Sequence, residues 1–238
     1  MKLILEDVYK RFDEKILFDD VSFTFEKGKI YGLLGRNGAG KTTLFNCISK
    51  NMLIDSGKIE IEYDDGSVNP NYDNTEVGFA YTQPNLPDFM TAYEFIRFFM
   101  DINSKRLKKN WTAEAYLLSV GIEKEDQHKL LKDFSHGMKN KVQMLVSFMV
   151  APPVLLLDEP LTSFDVIAAH EMKEMILSAK EDSIIIFSTH ILQLAQDLCD
   201  EIVLLNNHQL SAIDASSIHD KDFEEEIVAQ LSAGKEGE

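Results

Sequence analysis

Eight consecutive residues, Gly35-Arg36-Asn37-Gly38-Ala39-Gly40-Lys41-Thr42, set three glycines ahead of a lysine and a hydroxyl in the spacing G-x-x-x-x-G-K-[ST]. Glycines in such a loop let backbone N–H groups turn inward around phosphate oxygens, and a helix starting near Gly40 would add its positive dipole end. Lys41 is then expected to reach the β- and γ-phosphates as a point charge, and the Thr42 hydroxyl to ligate Mg²⁺. A second group, Val154-Leu155-Leu156-Leu157-Asp158-Glu159, ends an apolar run on two adjacent carboxylates. Asp158 is suited to hold Mg²⁺, directly or through water, and Glu159 to polarise an attacking water, because phosphoryl transfer yields mainly to positioning and charge stabilisation. An Asp-Glu pair after a strand is ordinarily a helix cap or a solvated turn, but downstream of a phosphate loop it reads as catalytic.

These residues need elements that bring them together. Apolar runs bounded by turn residues predict strands at about Lys2–Val8, Val21–Phe25 and Lys29–Leu34, with Glu26-Lys27-Gly28 as the turn between the last two. The period then becomes helical, with Leu44, Phe45 and Ile48 on one face up to Asn51. A short strand follows at Ile59–Tyr63, a loop or hairpin over Asp64–Asn74, and another strand at Val77–Tyr81 that breaks at Gln83-Pro84. Residues Met90 to Val150 have helical periodicity and form the candidate inserted lobe. Beyond it, Val154–Leu157 and Ile184–Phe187 read as buried strands separated by a helix over Val166–Ala179. Strands alternating with helices imply a mainly parallel sheet with its ligand at the carboxyl ends of the strands.

Further along, Phe134-Ser135-His136-Gly137-Met138 precedes Lys139-Asn140-Lys141-Val142-Gln143 and a helix running toward Asp158. With the phosphate loop upstream, this segment resembles the LSGGQ signature of ABC-transporter nucleotide-binding subunits, in the S-x-G-M-K form of some exporter subunits. The resemblance covers nearly the whole chain. It implies an α/β fold: a P-loop NTPase with a mainly parallel central sheet, an N-terminal antiparallel β subdomain and an inserted helical lobe. One ABC-type ATPase domain over residues 1–238 is expected, with the lobe at about 90–150 and an acidic C-terminal helix and tail at about 214–238.

The resemblance also distributes roles. Phe12 sits where the family keeps an aromatic to stack on adenine, with Tyr9 as the alternative, and Asn37, Gly38, Ala39, Gly40, Lys41, Thr42 and Thr43 would bind the nucleotide. Ser135 and Gly137 would contact the nucleotide of a second subunit, so that each ATP is sandwiched between two chains, and Asp165 also counts among the nucleotide-binding residues. Gln83 matches the Q-loop residue that senses Mg²⁺ and the attacking water, Ser163-Phe164-Asp165 resembles the D-loop, and His190, after Phe187-Ser188-Thr189, matches the switch histidine. Catalysis would thus fall to Glu159, His190 and Gln83, and the metal to Thr42, Gln83 and Asp158. His136 and Arg36 replace the glycine and proline usual at their positions, and Arg36 is expected to point to solvent.

Composition bounds the partners. A formal charge of -16 disfavours nucleic acid, since phosphate contact needs clustered Lys and Arg. Residues Asp214 to Glu238 carry eight acids against two lysines. Cys47 and Cys199, far apart, suit reduced thiols in two small buried side chains. No run approaches the ~20 apolar residues that span a bilayer, so transport implies a separate integral-membrane permease. The chain would then sit in the cytoplasm, held peripherally on the inner face of the membrane. The aromatic run Met90–Met100 would offer part of a docking groove for short permease helices, and the basic cluster Lys105–Lys109 reads as a solvated helix end. A soluble ABC-class ATPase acting on a protein assembly is the alternative.

Overall fold

The computed structural model describes residues 1–162, 164–213 and 223–232. Ser163 of the expected D-loop and most of the acidic C-terminal segment lie outside the described residues. The first two strands, β1 (Lys2–Phe12) and β2 (Lys15–Glu26), form an antiparallel hairpin registered from Lys2 opposite Glu26 to Phe12 opposite Lys15. After β3 (Ile30–Leu34) and α1 (Lys41–Ile48), β4 (Ser56–Glu62) joins the other edge of β1, and β5 (Val68–Asn69) pairs with β4. The result is a four-stranded sheet in the order β2-β1-β4-β5.

β6 (Val77–Ala80) leads into four lobe helices, α2 (Ala92–Ile102), α3 (Ala113–Leu118), α4 (Lys124–Gln127) and α5 (His136–Met149). The chain then runs through β7 (Val154–Asp158), α6 (Val166–Ala179), β8 (Ile184–Ser188), α7 (Leu192–Leu198), β9 (Glu201–Asn206), β10 (Gln209–Ile213) and α8 (Phe223–Ser232). The second sheet has the order β10-β9-β3-β8-β7-β6, parallel throughout except for the β10 edge.

A parallel sheet is covered on both faces, which is why β3, β7 and β8 are apolar without alternation and buried at every residue. Successive side chains point to opposite faces. Leu155, Leu157, Ile185 and Phe187 therefore pack with the lobe residues Ile96, Leu131 and Val142. Val154, Leu156, Ile184 and Ile186 pack with α1 and the antiparallel sheet through Phe45, Ile48, Leu3 and Phe25. Each fully buried Leu or Ile contributes roughly 2 kcal/mol relative to exposure.

The expected helix over Val166–Ala179 is reproduced to the residue. Two points differ from expectation. The strand expected to stop at Val8 continues to Phe12, with shifts in register between Leu5 and Arg11 that let the hairpin bend. The Glu26-Lys27-Gly28 turn joins β2 to β3, as expected, and so carries the chain from one sheet to the other. β9 and β10 were not anticipated, although Ile202–Leu205 is a buried run and Asn207 and His208, at φ 47° and 64°, make the two-residue turn such a hairpin needs. Cys47 is buried, while Cys199 is half-buried beside Gly32; burial pushes both thiols above their ordinary range, the first to about 11.

Candidate active site

β3, β8 and β7 are neighbours in that order, so their carboxyl ends open into one crevice. Leu34 delivers the glycine-rich loop, Asp158 the two carboxylates, and Ser188 the Thr189-His190 pair. A cavity of about 330 Å³ lies there, bounded by Gly38, Lys41, Thr42, Thr82, Asp158 and Glu159, among others.

The loop needs its glycines for two different reasons. A Cβ on Gly35 would lie 2.8 Å from the Leu205 carbonyl oxygen, too close for any side chain. Gly40 holds φ +108° to start α1, a backbone state that L side chains rarely adopt. With Gly40 as N-cap, no side chain caps α1 and no acid occupies its first turn. Its leading N–H groups and dipole are thus suited to an anion. Lys41, 9% exposed, turns its ammonium onto the carbonyl oxygens of Gly35 at 2.7 Å and Arg36 at 3.4 Å. Burial lowers its pKa, with Glu159 and Asp158 pulling in the opposite direction.

Asp158 is 4% exposed and takes three hydroxyl hydrogen bonds. Thr42 and Thr82 each donate to Oδ2 at 2.8 Å, and Ser188 donates to Oδ1 at 2.5 Å. The next residue, Glu159, adopts φ +53°, with its N–H donated to Ser188 Oγ at 3.1 Å. That reversal separates the two carboxylates. Glu159 Oε2 lies 2.9 Å from His190 Nδ1, and with the carboxylate ionised it is Nδ1–H that donates. The Glu159 side chain, 16% exposed, lines the crevice, while the His190 ring, 60% exposed, is outside that lining and borders a cavity shared by Gly35 and Thr189.

Carboxylate and hydroxyl oxygens are the donors Mg²⁺ prefers, and Asp158 and Thr42 already adjoin at 2.8 Å. No cluster of three or more His, Cys, Asp and Glu suited to a metal occurs among the described residues. A cation here would therefore complete its shell with phosphate oxygens and water, the usual arrangement for Mg²⁺ at nucleotide sites.

Most of the phosphate-side expectations converge on the crevice: Asn37, Gly38, Gly40, Lys41, Thr42 and Thr43 line it, and Ala39 lines the adjoining cavity. Arg36 is exposed, as expected, at the rim of the same cavity. Other residues stay outside it. Gln83 is exposed and does not line the cavity; its neighbour Thr82 does. Ser135 caps α5 by accepting the Met138 N–H at 3.2 Å, and Ser135 and His136 are exposed. Asp165 caps α6 through Ala168 N–H at 2.9 Å, ahead of Val166 and Ile167, which are almost fully exposed. Phe12 is 44% exposed with the Lys10 ammonium 5.2 Å over its ring, so it is not a core residue, and it lies away from the crevice floor.

Sequence reasoning missed Thr82 and the role of Ser188. Ser188 stands in the quoted Phe187-Ser188-Thr189-His190 run, where a hydroxyl ending a strand beside Asp158 was a usable signal. Thr82 has no pattern of its own. In the lobe, Phe98 is 53%, Ile102 63% and Phe89 81% exposed. Much of the basic cluster is engaged within the chain: Arg106 reaches the Thr75 carbonyl, Lys108 pairs with Asp182 at 2.8 Å, and Lys109 lies over the Trp111 ring at 4.0 Å.

A protein-family model described as "ABC transporter" matches residues 18–162. The ABC transporter ATP-binding protein NatA of Bacillus subtilis is 30% identical, over 87% of this chain and 87% of its own length. The probable ABC transporter ATP-binding protein p29 of Mycoplasma pneumoniae is 32% identical over 87% of this chain and 90% of its own. The bacitracin transport ATP-binding protein BcrA of Enterococcus faecalis is 29% identical over 90% of this chain and 70% of its own. Among solved structures, an ATP-binding subunit of an ABC transporter superposes with TM-score 0.79, at 24% identity, over 98% of this chain and 100% of that one. A dimeric ATP-binding cassette in a post-hydrolysis state with ADP and Pi superposes at 0.73 with 19% identity, over 89% of this chain and 97% of that one, which speaks to the fold.

Proposed function

The chain belongs to the ABC transporter ATP-binding family, and from that premise we propose that it hydrolyses ATP at the Lys41–Asp158–Glu159 crevice to drive a separate membrane permease, as an exporter motor. The observation that carries this reading is the buried Asp158, bonded to the Thr42 hydroxyl of the phosphate loop, next to a Glu159 whose carboxylate is held by His190. The loop N–H groups from Gly38 to Thr43 and the Lys41 ammonium would grip the β- and γ-phosphates. Mg²⁺ held by Thr42 and Asp158 would neutralise charge building on the phosphate oxygens. Glu159, lining the crevice, would orient the attacking water and accept its proton, while His190 fixes that carboxylate and approaches the γ-phosphate.

Residues outside the crevice have their place in a larger assembly. Phe12, exposed at the end of its strand, would stack on adenine, and Gln83 would swing inward as the lobe turns. Ser135, Gly137 and Asp165 would seal the nucleotide of a second copy, for which the α5 N-terminus supplies donors and dipole. The whole chain would act as one ATPase domain with a lobe at about 90–150. No described helix is long and apolar enough to cross a membrane. The exposed Phe89, Phe98 and Ile102 suit short apolar helices of a permease, which would hold the subunit on the inner face of the membrane. Export is supported by the S-x-G-M-K form of the signature.

Steady-state phosphate release tests the catalytic assignment. A Glu159→Gln variant should lose at least about 100-fold in turnover while still binding ATP; equal rates in the two proteins would overturn the role given to Glu159.

A further inference from the structure

The segment leaving β6 is gripped from α5, the helix that Ser135 caps. Gln143, 7% exposed, donates its Nε2–H to the Tyr81 carbonyl oxygen at 2.7 Å and accepts the Asn85 N–H at 3.4 Å. Between these two grips Thr82 turns its hydroxyl onto Asp158 Oδ2 at 2.8 Å, the same oxygen that receives Thr42. Ser188 holds the other oxygen. Two hydroxyls therefore share the lone pairs of one carboxylate oxygen, and only one of them belongs to the phosphate loop. With a cation on the Thr42 oxygen, Thr82 would still hold Oδ2 from outside the phosphate loop. A carboxylate fixed on both oxygens before the ligand arrives needs no reorganisation when it does.

We propose that Thr82 is a positioning residue for the metal-assisted step: its hydroxyl orients Asp158, and the Gln143 clamp links that hydroxyl to the lobe helix α5. The inference rests on the reading of Asp158 as the carboxylate that serves Mg²⁺. It also gives the lobe a route to the metal carboxylate one residue ahead of Gln83. Any rotation of α5 moves Gln143, and through it the backbone on both sides of Thr82.

The test compares Thr82→Val, Thr82→Ser, Gln143→Leu and Asp158→Asn in the full chain. For each, the Mg²⁺ concentration that half-saturates binding of a fluorescent ATP analogue is measured, with phosphate release followed in parallel. Losing an outer partner of a metal ligand typically weakens metal affinity 10- to 100-fold. Thr82→Val should accordingly need about ten-fold more Mg²⁺, with analogue binding in EDTA unchanged. Thr82→Ser should return to the wild-type requirement, and Gln143→Leu should shift in the direction of Thr82→Val. If Asp158→Asn keeps the wild-type Mg²⁺ dependence, the reading of Asp158 itself falls. If Asp158→Asn loses it while Thr82→Val matches wild type, the positioning role alone is refuted. An equal loss of analogue binding by Thr82→Val with and without Mg²⁺ would also refute it, since that marks a purely structural defect.

Discussion

Lys41 shows how one side chain can oppose stability and serve binding. Its ammonium is nearly buried, with the Gly35 and Arg36 carbonyl oxygens as hydrogen-bond partners. Its folded pKa lies below the ordinary lysine value, because desolvation outweighs the pull of Glu159 and Asp158. Between the folded and unfolded values the unfolded chain binds more protons, so this group's contribution to stability rises with pH through that alkaline window and is least favourable at neutrality. A triphosphate would give that ammonium a partner of high negative charge. Lys41→Met should therefore melt no earlier than wild type without nucleotide, yet lose the stabilisation by ATP. At ~100-fold excess over Kd that stabilisation is worth about 2.7 kcal/mol, or roughly 5–10 °C for a chain of this size. Scanning calorimetry with and without Mg·ATP checks both halves, and an undiminished ATP shift in the variant would contradict the role given to Lys41.

At the scale of elements, the strands that carry chemistry were legible because they are short, wholly apolar and end in motif residues: Ile30–Leu34, Val154–Asp158 and Ile184–Ser188. The Val166–Ala179 helix was legible from its apolar spacing. Less visible was the division of the strands between two sheets. Val21–Phe25 alternates apolar with polar residues while Ile30–Leu34 does not, but neither segment names its partners, β1 for one and β8 and β9 for the other. Thr82 was illegible for the same reason, since its partner Asp158 lies 76 residues away. The acidic C-terminal stretch concealed an anchor: Phe223 and Ile227 are buried against Leu34, Ile202 and Leu204, next to the start of the phosphate loop. Phe223→Ala should cost about 3 kcal/mol, seen as a lower urea midpoint with an unchanged slope. A loss below 1 kcal/mol would mean that α8 contributes little to the fold.

The whole molecule carries a formal charge of -16, and ATP would add more. Two copies closing on two nucleotides must overcome that repulsion, which salt screens over about 10 Å at 0.1 M. Closure should therefore strengthen as salt rises from low to moderate concentration, opposite to the behaviour of complementary charged faces. A second copy also accounts for the residues one copy leaves idle: Ser135, Gly137 and Asp165 do not line its own crevice, and Val166 and Ile167 stand exposed next to Asp165. The most direct measurement is sedimentation of the Glu159→Gln protein, in which slowed hydrolysis would preserve the closed state. With Mg·ATP at moderate salt it should sediment at twice the mass of one chain, return to single copies with ADP, and stay single when Ser135→Arg is added. A protein that remains a single copy with Mg·ATP, or a Ser135→Arg variant that pairs as readily, would contradict the two-copy site.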